Sequence, residues 1–210
     1  LSLLDNHLAV HATIQRFVAG DSSCEAGAGW MIALGCVLPL YGTIRREISA
    51  ANTNLSGAQV QLQDLLNRDQ LTGLLNRRVL PTVFREASDN GATVLFFDLD
   101  QFKTINDGHG HQVGDNCLIR FARTLRDNFT SGDRVIRYAG DEFVVITQDT
   151  SPETIARRID AIDHALRHEG DDGVCIRFSH GQATLPAGGD PELALKAADH
   201  AMYKAKAARA

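Results

Sequence analysis

Residues 134–147 read RVIRYAGDEFVVIT. Two short runs rich in apolar and β-branched residues, RVIRYA (134–139) and EFVVIT (142–147), flank Gly140-Asp141. Such a pair between two strand-like runs signals a hairpin, because glycine enters the left-handed turn conformation without steric cost. The hairpin predicts two adjacent strands with Asp141 and Glu142 at the turn. Working outward, TVLFFDLD (93–100) and VCIRFSHGQAT (174–184) read as further strands. Helical patterns occupy 76–89, about 114–128, 152 to about 168 and 191–207, with Pro152 at a first turn, where proline is tolerated. Strands alternating with helices predict an α/β (α+β) fold, a mixed sheet flanked by helices.

The 210 residues suffice for one ordinary domain and a shorter appendage. A composition 44% hydrophobic and 22% charged is that of a globular protein. The net charge of −5 gives no broad nucleic-acid-binding face. Cys24, Cys36, Cys117 and Cys175 form no CxxC pair, which suggests reduced, buried thiols in a cytoplasmic setting.

Three parts are expected: an apolar helical front segment, 1–43; one linker helix, 44–69; and the alternating part, 70–210. In the linker, Ile44, Ile48, Ala51, Leu55, Ala58, Leu62 and Leu65 alternate spacings of four and three, the seam of a coiled coil joining two copies of the chain. Packing on its own domain is the other reading of that face. Residues 26–44 carry no charge and precede Arg45 and Arg46, as a membrane span would. Four glycines and Pro39 dilute the run, so a buried helical piece of a sensory unit is the reading adopted. His7 and His11 stand four apart with Cys24 farther on, too few ligands for a zinc site.

Asp98 and Asp100 share one strand face at the end of VLFFDLD. If the hairpin pairs beside that strand, Asp98, Asp141 and Glu142 converge. Uncompensated, such carboxylates repel and raise one another's pKa, so a divalent cation makes physical sense of the cluster.

Four motifs now carry a resemblance. RYAGDEF (137–143) resembles the GGDEF signature of diguanylate cyclases, and FFDLDQFKTINDGHGHQVGD (96–115) resembles that family's DxDxFKxxND…GHxxGD segment. RDQLTGLLNRR (68–78) is similar to its opening motif and ADHAMYKAKA (198–207) to its closing helix. The match covers about residues 64–210. It implies a nucleotidyl cyclase palm-like sheet and condensation of two GTP into cyclic di-GMP by a dimer. Asp98, Asp141, Glu142 and the Leu99 carbonyl would hold Mg²⁺, with Mn²⁺ as a substitute. Glu142 would also ready the ribose 3′-hydroxyl, and Lys103 would stabilise transition-state charge. Phe102 would lie at the phosphates, Asn106 and Asp115 would read guanine, His111 would lie near the substrate, and Lys206 would reach the terminal phosphate. The LTGLLNRR run would dock the linker helix, with Arg77 and Arg78 tying loops.

Three departures qualify this. Ala139 replaces the signature's first glycine, which matters if that position needs positive φ or close phosphate contact. The family's product-inhibition site, RxxD, here reads Thr130-Ser131-Gly132-Asp133, without its arginine. The closing KxxGR becomes Lys206-Ala207-Ala208-Arg209, with the arginine one residue early. The alternatives are an inactive module of the same fold binding GTP or cyclic di-GMP, and a cyclase making a cyclic mononucleotide.

Overall fold

The computed structural model describes residue 15 and residues 26–149, 151–167 and 173–208. The elements are α1 (Ala26–Asn67), β1 (Leu75–Asn76), a 3-10 turn (Arg77–Val79), α2 (Leu80–Ser88), β2 (Ala92–Leu99), α3 (Phe102–His109), α4 (His111–Asn128), β3 (Arg134–Ala139), β4 (Glu142–Thr147), α5 (Pro152–Leu166), β5 (Phe178–Leu185) and α6 (Pro191–Ala207). The chain divides into two compact units, residues 1–63 and 64–210.

Helix α1 is longer than the expected linker, running unbroken from Ala26 through Pro39 to Asn67. Proline there lacks an N–H and crowds the preceding turn. Thr43 bonds back to the carbonyls of Pro39 and Leu40 at 3.1 and 2.8 Å. Val37, Tyr41, Ile44, Ile48, Leu55 and Leu65 are exposed. Among the described residues, no helix is long and apolar enough to cross a membrane. His7, His11 and Cys24 lie outside the described residues, as does Arg209.

The second unit is built on a five-stranded mixed sheet in the order β1-β3-β4-β2-β5. β1 pairs with β3 in parallel; the other neighbours are antiparallel. Side chains alternate across a strand, so each face builds its own core. Leu95, Phe97 and Leu99 of β2 join Phe143 and Val145 of β4 under α4 and α5. Val94 and Phe96 join Val144 and Ile146 against α2 and α6. This parity assigns Asp98 and Glu142 to the α6 face, at the sheet end where the apolar pattern stops. The α4 face is centred on Phe121, whose ring meets Phe143 edge-on at 4.9 Å.

Both late helices start as their sequences suggest. Ser151 caps α5 through Thr154 N–H at 3.3 Å, and Asp190 caps α6 through the N–H groups of Glu192 and Leu193, each with proline next in the chain. Helix α6 lies directly on β5 at Gly181, where a Cβ would fall 2.1 Å from Met202 N and 2.3 Å from Ala198 O. That close approach fixes how far Lys206 reaches over the sheet end. Cys117 is buried as expected, whereas Cys175 is exposed.

Candidate active site

Asp98 and Glu142 are direct cross-strand partners in the β2–β4 ladder. The turn between β3 and β4 closes tightly, with Ala139 opposite Glu142 and Gly140 at φ 38°. Leu99, the last residue of β2, donates its N–H to Asp141 O at 3.3 Å. The three expected acids thus share one end of the sheet, although among the described residues no three acidic, histidine or cysteine side chains are gathered closely enough to hold a metal ion by themselves. Burial, then the charges of Asp98, Asp141 and Asp199, push the Glu142 carboxyl above its ordinary value. Burial also raises Asp98, helped by Asp141 and Asp100 and opposed by Lys206.

A cation does stand in this site. The Lys206 ammonium donates to Asp98 Oδ1, forming an ion pair across the sheet end. Burial opposes the charge on Lys206, but Asp98, Asp100 and Asp141 outweigh it and hold the amine above its usual pKa. The donor set fits magnesium, which takes one or two carboxylates and completes its shell with phosphates and water. Asp199 was missed in the sequence, yet it lies seven residues before Lys206, two turns along the same helix face. Asp100 is occupied otherwise: the buried Ser179 hydroxyl donates to it at 2.7 Å.

Past Asp100 the chain turns through Gln101, whose φ of 55° is the single positive value at a non-glycine among the described residues. This turn launches α3 with no side-chain cap, leaving the first-turn N–H groups from Phe102 onward free to meet an anion. Phe102 is half-buried and Lys103 exposed, with no ion pair for Lys103 among the described residues. Gly110, at φ 86°, folds α4 back against α3. Asn106 and Asp115, both half-buried, belong to these paired helices, and His111 is exposed at the start of α4.

Ala139 is not among the positive-φ residues, so the methyl group causes no backbone strain; Gly140 carries the left-handed conformation. The hairpin turn is gripped from outside. Arg137 donates through Nε and Nη2 to Gly140 O at 2.9 and 2.8 Å and through Nη1 to Asp69 at 2.9 Å. Asp69 also accepts from the N–H and hydroxyl of Thr72. Asn76 donates to the carbonyls of Leu66 and Arg68, closing the C-terminal end of α1. These ties correct the expectation for Arg77 and Arg78, which are exposed and form no side-chain hydrogen bond among the described residues.

Burial works against the Asp69 charge, but Arg137 and Thr72 prevail and hold its pKa below the ordinary value. Its contribution to stability is therefore complete above the unfolded aspartate pKa of about 3.9 and fades as pH falls through the lowered folded value. Asp69→Asn is expected to cost about 2 kcal/mol in urea unfolding at pH 7, from the lost charged hydrogen bonds. The difference should shrink towards pH 3; equal stability of the two proteins at pH 7 would show that the bridge contributes nothing.

Residues 66–210 match the family described as "Diguanylate cyclase, GGDEF domain". The chain is 37% identical over 196 residues to the probable diguanylate cyclase DgcC of Escherichia coli strain K12, an alignment covering 85% of this chain and 51% of DgcC. Among solved structures, the GGDEF domain of YfiN (TpbB) from Pseudomonas aeruginosa is 34% identical, with a TM-score of 0.56, over 67% of this chain and 89% of that one. The coiled coil and GGDEF domain of DgcB from Caulobacter crescentus, solved with c-di-GMP, share the fold at 24% identity, with a TM-score of 0.69 over 80% and 95%. The chain belongs to the GGDEF-domain family. It spans about half the length of DgcC.

Proposed function

We propose that the chain is a diguanylate cyclase that condenses two GTP into cyclic di-GMP and releases two pyrophosphates. The supporting observation is the meeting of Asp98, Asp141 and Glu142 at the sheet end, already countered by the Lys206 cation. The activity in DgcC's name supports the same reading.

Asp98 and Asp141, with the Leu99 carbonyl and Glu142, would hold Mg²⁺, for which Mn²⁺ would substitute. Bound there, it would supply charge neutralisation at the phosphates and a lowered pKa at the attacking hydroxyl. Glu142 takes the proton from the ribose 3′-hydroxyl. The 3′-oxygen bonds to the α-phosphorus of the facing GTP, the bond to the β-phosphate oxygen breaks, and pyrophosphate leaves. The same exchange in the other direction closes the ring. Phe102 and the uncapped start of α3 cradle phosphates, Lys103 offsets transition-state charge, and Lys206 transfers from Asp98 to the terminal phosphate. Asn106 and Asp115 read guanine, with His111 beside the substrate. Release of pyrophosphate from GTP, dependent on a divalent cation and absent with ATP, tests this reading. Tight GTP binding without pyrophosphate release would contradict it.

Each domain holds one GTP, so two must face one another. The pattern of α1 supports a homodimer: Val37 and Tyr41, exposed like Ile44, Ile48, Leu55 and Leu65, extend the alternating four-and-three spacing that Ala51, Ala58 and Leu62 complete in the sequence. The linker (44–69), the front segment (1–43) and the cyclase domain (70–210) would then join two copies, receive a signal and perform the chemistry, respectively, with the catalytic part in the cytoplasm.

Feedback by product is expected to be weak at the site where family members carry RxxD. Thr130 stands in the arginine's place and turns its own N–H and hydroxyl onto Asp133 Oδ2, at 2.8 and 3.0 Å. Arg158 donates to the same oxygen at 3.0 Å while lying over the Phe129 ring. The aspartate is satisfied within its own chain. Initial rates should be unchanged by micromolar cyclic di-GMP; strong inhibition that Asp133→Ala relieves would refute this.

A further inference from the structure

Gly114 is the fourth residue of α4 and is buried, in a helix where glycine is a costly choice. The space that a side chain would fill belongs to Asn106. A Cβ on Gly114 would lie 2.0 Å from Asn106 Oδ1, 3.0 Å from its Cγ and 3.4 Å from Phe102 Cζ. The backbone around this contact is fixed: Gly110 N donates to Asn106 O at 2.9 Å, and Gly114 N donates to Gly110 O at 3.2 Å. The carboxamide of α3 therefore rests on the bare surface of α4, one residue from Asp115. The geometry points to Gly114 as a positioning residue that sets the preference for guanine through Asn106. This rests on the proposed reading of Asn106 as a guanine contact.

The atom in the way is the end of a flexible side chain, whereas the helix backbones leave room. A methyl group at 114 therefore swings the Asn106 side chain off this contact without separating α3 from α4. Base preference should change while the fold persists.

The test compares four proteins: the parent chain, Asn106→Ala, Gly114→Ala and the double variant. Each binds a fluorescent GTP analogue, displaced by GTP or by ATP, whose base offers none of guanine's N1–H, 2-amino and O6 groups. The expected result is a fall of about tenfold in the preference for GTP in Asn106→Ala, as one neutral hydrogen bond would give. Gly114→Ala should fall to the same level with its melting temperature near the parent's, and the double variant should fall no further. If Asn106→Ala loses preference and Gly114→Ala does not, the role of Gly114 is overturned while the guanine reading stands. If Asn106→Ala keeps full preference, the guanine reading fails and the role of Gly114 with it. Should Gly114→Ala fail to fold, a folded double variant would support the steric link, and an unfolded one would overturn it.

Discussion

Asp141→Ala is expected to lower turnover of GTP by on the order of a thousandfold or more, the scale of removing a principal electrostatic partner from a transition state. Stability should not fall with it. Asp141 makes no side-chain hydrogen bond among the described residues, and its charge raises the pKa of both Asp98 and Glu142. Removing it relieves repulsion from Asp98 and Glu142 while giving up its attraction to Lys206, so the variant should melt near the parent temperature. Asp98→Ala provides the contrast. It should lose turnover comparably, but it also strands the half-buried Lys206 ammonium beside fewer anions. The comparison separates a site selected for chemistry from one selected for stability, since acids that only held the fold together would destabilise it when removed. Activity assays and thermal melts of both variants check this; an Asp141→Ala protein that is unfolded, or as active as the parent, goes against the proposed site.

Breaking the α1 seam should have the second large effect. Ile48 and Leu55 are 56% and 60% exposed, so glutamate at both positions costs the single chain little. In a dimer the same changes would place like charges opposite one another in an apolar seam. Ile48→Glu/Leu55→Glu is expected to be monomeric by sedimentation equilibrium at low micromolar concentration. Its turnover should fall by about a hundredfold or more, because linked domains face each other at an effective concentration near millimolar that free monomers do not reach. GTP binding should be unchanged. Full activity in a demonstrably monomeric double variant would remove the seam from the mechanism.

The hairpin was readable because each strand carries its own pattern and Gly140-Asp141 marks the turn. Sheet parity then brought Asp98 and Glu142 together, since Val94, Phe96 and Asp98 alternate onto the face shared with Val144. Helix α3 was not foreseen. Asn106-Asp107-Gly108 reads as a turn, and the eight-residue helix forms because Phe102 and Ile105 pack against the core. Strand β5 begins at Phe178, four residues later than its apolar run, because Ile176 N bonds to Leu166 O and Arg177 O accepts from Asp100 N. Two-residue β1 lies below any periodic signal. Lys206 was legible only by resemblance, since its reach to Asp98 depends on the close approach of α6 at Gly181. Arg137 stood in view within RYAGDEF, but its grip on Gly140 O and Asp69 joins segments 68 residues apart, a relation that no local spacing encodes.

The most direct test of the proposed chemistry is the identity of the product. The chain, incubated with GTP and Mg²⁺ at a concentration where it is dimeric, should yield cyclic di-GMP by chromatography and mass spectrometry, with about two pyrophosphates per product as phosphoryl-transfer bookkeeping requires. A cyclic mononucleotide product, or bound GTP recovered intact, would contradict it.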